Sequence, residues 1–311
     1  MKPKNKLDAV LPLLAKDYDR FRLLDRSLKK NLKDLNIIWV ITTDCEYDSL
    51  KKLINDNNYR IIPQSAILPE LSFYEMINKI LHRPIIRRWS YVKNGRYNTY
   101  GWYIQQVIKL AMAERVETDF YLTLDADVIC MRQVGYHDLI QNGKAITNIT
   151  KEDVHPNWYK DAERVLQMPR SGLTHGVTPA IFSRDAVLEL QKYLAQETHP
   201  VFKLFSTLFP KKSILYKIAT SWRSFLIRNT PWTEYSLYHT FLEAAKLFDR
   251  YHIDKGPEAI YGRSSSVWSK EQSASFDLDK FIKTEAYFLI FQSTSGIPIE
   301  DVWGKIGKYI E

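Results

Sequence analysis

Apolar positions along this chain change their period several times, and each change marks an element. Leu7 to Leu14 is almost wholly apolar and reads as a first strand, with Pro12 tolerable at its end or edge. Phe21, Leu24, Leu28 and Leu32 then recur at helical spacing, which predicts a helix over 18–33. A second strand is expected over 36–43, ending at Asp44, then a short helix over 49–54 and a third strand over 59–62. Strand, helix, strand, helix, strand implies right-handed parallel crossovers, hence a doubly wound α/β sheet. A helix over 102–115 leads into the apolar run Phe120–Cys130. The second half is less regular, with a strand at 180–183, helices at 184–195 and 234–248, and a late strand at 287–291. A break near 150 divides the chain into 1–150 and 151–311, expected as two lobes on one sheet, with no internal repeat.

At 311 residues the chain can bury the core of one large domain, and 45% apolar with 26% charged residues places it among ordinary globular proteins. Cys45 and Cys130 lie too far apart for a metal-ligand spacing, which argues against a disulfide scaffold and fits a reducing cytoplasm. The charged start Met1–Lys6 runs into no long apolar segment, and no stretch is long enough to span a bilayer, so a soluble cytoplasmic protein is expected. The net charge of +8 is unevenly spread. No acid occurs between Glu75 and Glu114, where Lys79, Arg83, Arg87, Arg88, Lys93, Arg96 and Lys109 fall, and none between His199 and Thr233. Such fields attract phosphates, acidic polymers or anionic lipid heads. No nucleic-acid fold signature accompanies them, so nucleic acid is not expected as a partner.

The candidate chemistry centres on Asp125-Ala-Asp127. Residues two apart on an extended strand share a side, so both carboxylates can face one space beyond the sheet edge, where open α/β sheets bind ligands. A hard divalent cation, Mg²⁺ or Mn²⁺, offsets the repulsion of two such acids and fills its other positions with water and phosphate oxygens. The plainer reading is a strand end that shows its acids to water. Against it stands apolar Val128-Ile129, which follows at once. Just upstream, Gln105 and Lys109 share a helix face, with Trp102 and Gln106 on an adjoining one. Lys109 would neutralise phosphate charge and the amides would bond sugar hydroxyls; alternatively all three simply face water.

These motifs resemble those of GT-A-type glycosyltransferases and, more narrowly, a largely uncharacterised bacterial glycosyltransferase-like family. The resemblance is carried by Val10-Leu-Pro-Leu13, Trp102-x-x-Gln105-Gln106-x-x-Lys109-Leu110, Tyr121–Asp127, Thr174-His175-Gly176 and Thr233-Glu234-Tyr-x-x-Tyr238. It implies a GT-A-like, mainly parallel sheet flanked by helices, with a helical elaboration on the acceptor side. It also implies a nucleotide-sugar donor (a UDP-sugar foremost), a divalent metal, and transfer to a saccharide or lipid-linked acceptor in surface-polysaccharide assembly. On that resemblance Asp127 takes the metal, Asp125 the metal or the ribose, and Asp44 the nucleoside.

Glu234 opens a helical pattern after Pro231 and Thr233. It reads either as a favourable acid at a helix N-terminus or as the general base of an inverting transfer. His175, beside Gly176, is expected to contact acceptor or phosphate, while His252 stays with a structural role. The aromatic and basic stretch 201–228 suits either a peripheral contact at the inner face of the membrane or a buried helical pair with a basic outer side. Two other functions fit the same acids. One is a haloacid-dehalogenase-type phosphotransferase with Asp125 as nucleophile; the other is a non-catalytic sugar- or lipid-binding module.

Overall fold

The computed structural model describes residues 3–71, 100–196 and 220–310, together with Pro210, Ser213, Tyr216 and Lys217. The basic residues expected at 79–96 and most of the 201–219 segment lie outside the described residues. Twelve strands are described: β1 Leu7–Pro12, β2 Leu35–Thr42, β3 Tyr59–Pro63, β4 Phe120–Thr123, β5 Val128–Cys130, β6 Ile140–Gln141, β7 Lys144–Thr147, β8 Ile149–Thr150, β9 Thr174–His175, β10 Ala180–Ser183, β11 His252–Asp254 and β12 Phe288–Ile290.

The main sheet has the order β10-β4-β1-β2-β3. Strands β1 to β4 pair in parallel, and β10 closes one edge antiparallel to β4. The parallel part follows from the helices Tyr18–Asn31 and Tyr47–Leu53, which carry the chain from each strand back to the start of the next. Strand β1 is buried along its whole length, as a central strand covered on both faces must be. Alternate side chains build two cores. Val10, Trp39, Ile41 and Tyr121 meet the helices Tyr100–Ala111, Arg184–Gln196, Trp222–Arg228 and Glu234–Ala244 on one face. Ala9, Leu11, Ile38, Val40 and Leu122 meet Phe21, Leu24 and Leu28 of Tyr18–Asn31 on the other. A third cluster packs the C-terminal helix Ile299–Ile310 through Val302, Ile306 and Ile310 against Leu23, Ile129 and Leu289. The fold is a mainly parallel α/β sheet flanked by helices, as the sequence predicts.

The run Phe120–Cys130 is not one strand. It breaks after Thr123, and Val128–Cys130 leaves the main sheet to pair antiparallel with β12. The cause lies in the neighbour. Leu124 still donates its N–H to Val10 O at 2.9 Å, but the next rung of a parallel ladder needs an N–H from Pro12, which has none. The acids Asp125 and Asp127 therefore sit in a turn beyond the C-terminal end of β4, closed by Val128 N–H to Asp125 O at 3.2 Å.

One further expectation changes, and one left open is decided. The helix expected over 234–248 stops at Ala244, and Phe248–Tyr251 forms a separate turn of helix. In Trp222–Arg228, Trp222, Phe225 and Leu226 point into the core while Arg223 pairs with Glu114 at 2.5 Å and Glu70 at 3.7 Å. There the aromatic residues are core, not a membrane face. Among the described residues no helix is long and apolar enough to cross a membrane.

The opposite end of the sheet is held by Asp8, which is fully buried on β1. Its carboxylate accepts from Asn36 Nδ2 at 2.8 Å, Trp39 Nε1 at 3.1 Å and the Glu117 N–H at 2.7 Å, tying β2 and the approach to β4 to the central strand. Removing a shared acceptor leaves buried donors unpaired. Asp8→Ala is expected to lower stability by about 2–4 kcal/mol in urea denaturation.

Candidate active site

The helix Tyr100–Ala111 is buried on nearly every side from Tyr103 onward apart from Gln105, and Lys109 lies within that buried part with only 3% of its surface exposed. An ammonium in that position must place all three protons on acceptors. It does so on Asp125 Oδ1 at 2.8 Å, Glu234 Oε1 at 3.0 Å and the Tyr235 hydroxyl at 3.0 Å. The Tyr235 hydroxyl in turn lies 3.3 Å from Thr123 Oγ1 at the end of β4. One turn back on the same helix, Gln106 Oε1 accepts the Glu234 backbone N–H at 3.0 Å. Glu234 thus begins its helix, but Thr233 caps it, accepting the Ser236 N–H at 3.2 Å. The Glu234 carboxylate is directed to Lys109.

Burial opposes every charge in this group. It would depress the Lys109 ammonium, yet the carboxylates of Asp125 and Glu234 outweigh it and hold the group well above its ordinary range. Burial raises the Glu234 carboxyl, and the Lys109 charge works against that rise. Asp127, 6% exposed, is pushed up to about 6 by burial and by the neighbouring Asp125 charge, with the Ser293 amide and Arg20 opposing.

Asp127 is held from the far end of the chain. Its Oδ2 accepts the Ser293 N–H at 2.7 Å, and its backbone carbonyl accepts the Phe291 N–H at 3.1 Å. Arg20 braces this loop by donating to the carbonyls of Phe291 at 3.2 Å and Ile297 at 2.8 Å. The other carboxylate oxygen, Asp127 Oδ1, is buried and has no protein partner. Three carboxylates stand here against the Lys109 ammonium and the Arg20 guanidinium that acts on Asp127, so when ionised the group keeps one net negative charge. That charge and the orphaned oxygen fit a hard divalent cation, which needs only one or two protein carboxylates. Among the described residues no three His, Cys, Asp or Glu side chains form a metal-holding group; Asp125 and Asp127 are the two carboxylates that could hold an ion here.

The cluster lines one cavity of about 1090 Å³ beyond the C-terminal edge of the parallel strands, where sheets of this kind bind ligands. Gln105, Gln106, Lys109, Asp125, Asp127 and Glu234 meet there. The structure adds residues that the sequence pattern did not single out: Lys16 and Asp17 after β1, the aromatic residues His155, Trp158, Tyr261 and Trp268, and Gln292 to Thr294. The run Ser293-Thr-Ser-Gly296 straight after an apolar strand was the available signal for the last of these.

Asp44 and His175 are not in that wall. Asp44 is exposed and accepts from the Ser65 N–H at 3.3 Å and from the Ser65 hydroxyl. His175 is buried behind the cavity, with Nδ1 at 3.3 Å from the Tyr159 hydroxyl and Nε2 at 3.3 Å from Glu243 Oε1. Its ring stacks on His239 at 4.1 Å between centroids and 8° between planes. The neighbouring Gly176 makes room for protein, since a Cβ there would meet Asn148 at 2.9 Å and Tyr261 at 3.1 Å. His252 completes this buried layer, with Thr147 Oγ1 on Nδ1 and the Tyr238 hydroxyl on Nε2, each at 2.8 Å. Both ring nitrogens are engaged, so it is no metal ligand.

A family model matches residues 4–311. The chain belongs to the family of unknown function DUF6492. No curated protein matches this family member. Solved structures similar to it include the apo form of mouse xyloside xylosyltransferase 1, at 10% identity over 95% of this chain and 100% of that one, with a TM-score of 0.45. Two structures of the Streptococcus pneumoniae glycosyltransferase GlyE are also similar at 10% identity, the apo form with a TM-score of 0.42 and a second with 0.40. These matches cover 98% and 99% of this chain, which spans only 60% of GlyE. Likeness at this distance says nothing of substrates.

The buried charges and the histidine layer each give an expected outcome. Lys109→Met strands Glu234 as an unpaired buried acid and leaves Asp125, a third exposed, to water, so stability should fall by about 3–5 kcal/mol. Adding Glu234→Gln should restore part of that loss in the same denaturant titration. The histidine layer sets a pH limit. Burial holds His239 well below its usual range and pushes His252 from 6.5 down to about 3, with the facing imidazole of His175 adding to both shifts. Between those values the unfolded chain binds protons that the folded chain refuses, so stability is lost as pH falls below 6.5. Each such histidine contributes about 1.4 kcal/mol per pH unit, and His252→Gln should flatten the slope by that amount.

Proposed function

We propose that this protein is a metal-dependent glycosyltransferase of the GT-A type. It would move a sugar from a nucleoside-diphosphate donor, UDP-linked foremost, to a saccharide or lipid-linked acceptor. The observation that carries this reading is the Asp125–Lys109–Glu234 cluster beside the orphaned oxygen of Asp127, on the wall of a cavity of about 1090 Å³. A cavity of that volume can hold donor and acceptor together.

Asp125 and Asp127 are the residues that would hold Mn²⁺ or Mg²⁺. When bound, the ion supplies positive charge to the diphosphate that departs with the nucleotide. Asp125 also shares Lys109 with Glu234, so the donor side and the acceptor side are fixed to one point. Glu234 is suited to take a proton from the attacking hydroxyl. Burial makes its carboxylate more basic, with the charge of Lys109 opposing that rise. A base in that role gives an inverting transfer.

Calorimetry with UDP and GDP, with and without Mn²⁺, tests this. One nucleotide should bind far more tightly with the metal, and Asp127→Ala should remove the metal-dependent part and abolish transfer. Glu234→Gln should keep nucleotide affinity while transfer falls by about 10²–10⁴. Nucleotide affinity indifferent to Mn²⁺ in both wild type and Asp127→Ala would overturn the metal assignment. Turnover of simple phosphomonoesters would point to Asp125 as a nucleophile instead.

A further inference from the structure

We infer that the aromatic wall beside Glu234 is the acceptor subsite and that it takes an uncharged pyranose ring laid against Trp102 and Trp158. This rests on the transferase reading for its place in a reaction, but the binding chemistry stands by itself.

Trp102 is a large apolar side chain left 38% exposed, on the wall of the cavity rather than on the outer surface. Trp158 faces it with ring centroids 6.4 Å apart and planes tilted by 46°. His155 stacks on Trp158 at 4.0 Å and 18°, which fixes the plane of that indole. Burial, with the nearby charge of Arg263, lowers the His155 titration, so this ring is neutral at neutral pH. Gln105, three residues from Trp102 along the helix, lines the same cavity with an amide that can both donate and accept. A pyranose has a C–H face for an aromatic surface and a hydroxyl rim for an amide. The wall offers both and carries no ionised group among these four side chains.

Its position assigns the wall to the acceptor. Both tryptophans are tied to the start of the Glu234 helix. Trp102 O accepts Gln106 Nε2 at 3.4 Å, and Gln106 Oε1 accepts the Glu234 N–H at 3.0 Å. Trp158 O accepts the Ser236 hydroxyl at 3.1 Å, within the first turn of that helix. A ring resting there lies next to the proposed base. A nucleobase also stacks on indole, but placed here it would fill the approach of the attacking hydroxyl. The end of β1 leaves room for it near Asp125 and Asp127, where Lys16 and Asp17 line the cavity.

Saturation-transfer NMR tests this on the full chain with saturating UDP and Mn²⁺. The probes are the methyl pyranosides of glucose, galactose, mannose and xylose, each in turn, with uridine as a further arm. At least one glycoside should receive saturation on the C–H protons of one ring face. Trp102→Ala should weaken its binding by about tenfold, and Trp102→Phe should keep most of it. Trp158→Phe serves as the second variant should Trp102→Ala melt early. The inference is overturned if none of the four glycosides is saturated, if Trp102→Ala leaves the signal unchanged, or if uridine is the probe that the variant releases. Calorimetry of UDP and Mn²⁺ on the wild type separates the two readings. UDP binding without glycoside binding sinks this inference alone, whereas glycoside binding without UDP binding sinks the transferase reading and leaves a saccharide site.

Discussion

An ammonium withdrawn from water cannot leave any of its protons unmatched, and Lys109 meets that demand with acceptors from two other parts of the chain. Asp125 comes from the turn after β4, and Glu234 and Tyr235 come from the start of a helix 125 residues further on. Moving Glu234 or Tyr235 would leave the buried ammonium short of an acceptor, which ties down the cavity wall where chemistry is proposed. The surrounding bonds serve the same constraint. Gln106 orients the Glu234 backbone, and Thr123 lies within reach of the Tyr235 hydroxyl. Preorganisation of this kind removes the cost of arranging charge when the substrate arrives.

The frame of the fold was legible because its signals are periodic and local. Phe21, Leu24 and Leu28 repeat at helical spacing and do face the core. The apolar strands separated by helices do form parallel neighbours. What could not be read were consequences of partners distant in the chain. The strand through Phe120–Cys130 was expected to be continuous, yet it ends where Pro12, on a neighbour more than a hundred residues earlier, offers no N–H. The acids still reach one cavity, but by a turn and not by strand alternation. Glu234 announced itself as a helix start, while nothing near it in sequence announces Lys109.

Misleading local signals have the same origin. Thr174-His175-Gly176 reads as a ligand loop, because glycine next to histidine permits close approach. What approaches Gly176 is Asn148 and Tyr261, and His175 belongs to a stacked imidazole layer behind the cavity. In Trp222–Arg228 the mixture of aromatic and basic residues fits either a membrane face or a buried helix with a basic outer side, and the second is what forms. Tertiary packing turns the aromatic side inward and leaves Arg223 to pair with acids. Composition gives the content of a face, and only the fold gives its direction.

The pairing of β5 with β12 has one more effect. Asp127 is completed by the Ser293 amide, and that loop is positioned by the β5–β12 ladder and by Arg20 from the first helix. Segments almost three hundred residues apart thus close the same corner. A nascent chain whose residues from Phe288 onward are still inside the ribosomal tunnel can fold its parallel strands, but it lacks the finished corner. That corner of the cavity is therefore completed only once the C-terminal strand has been made.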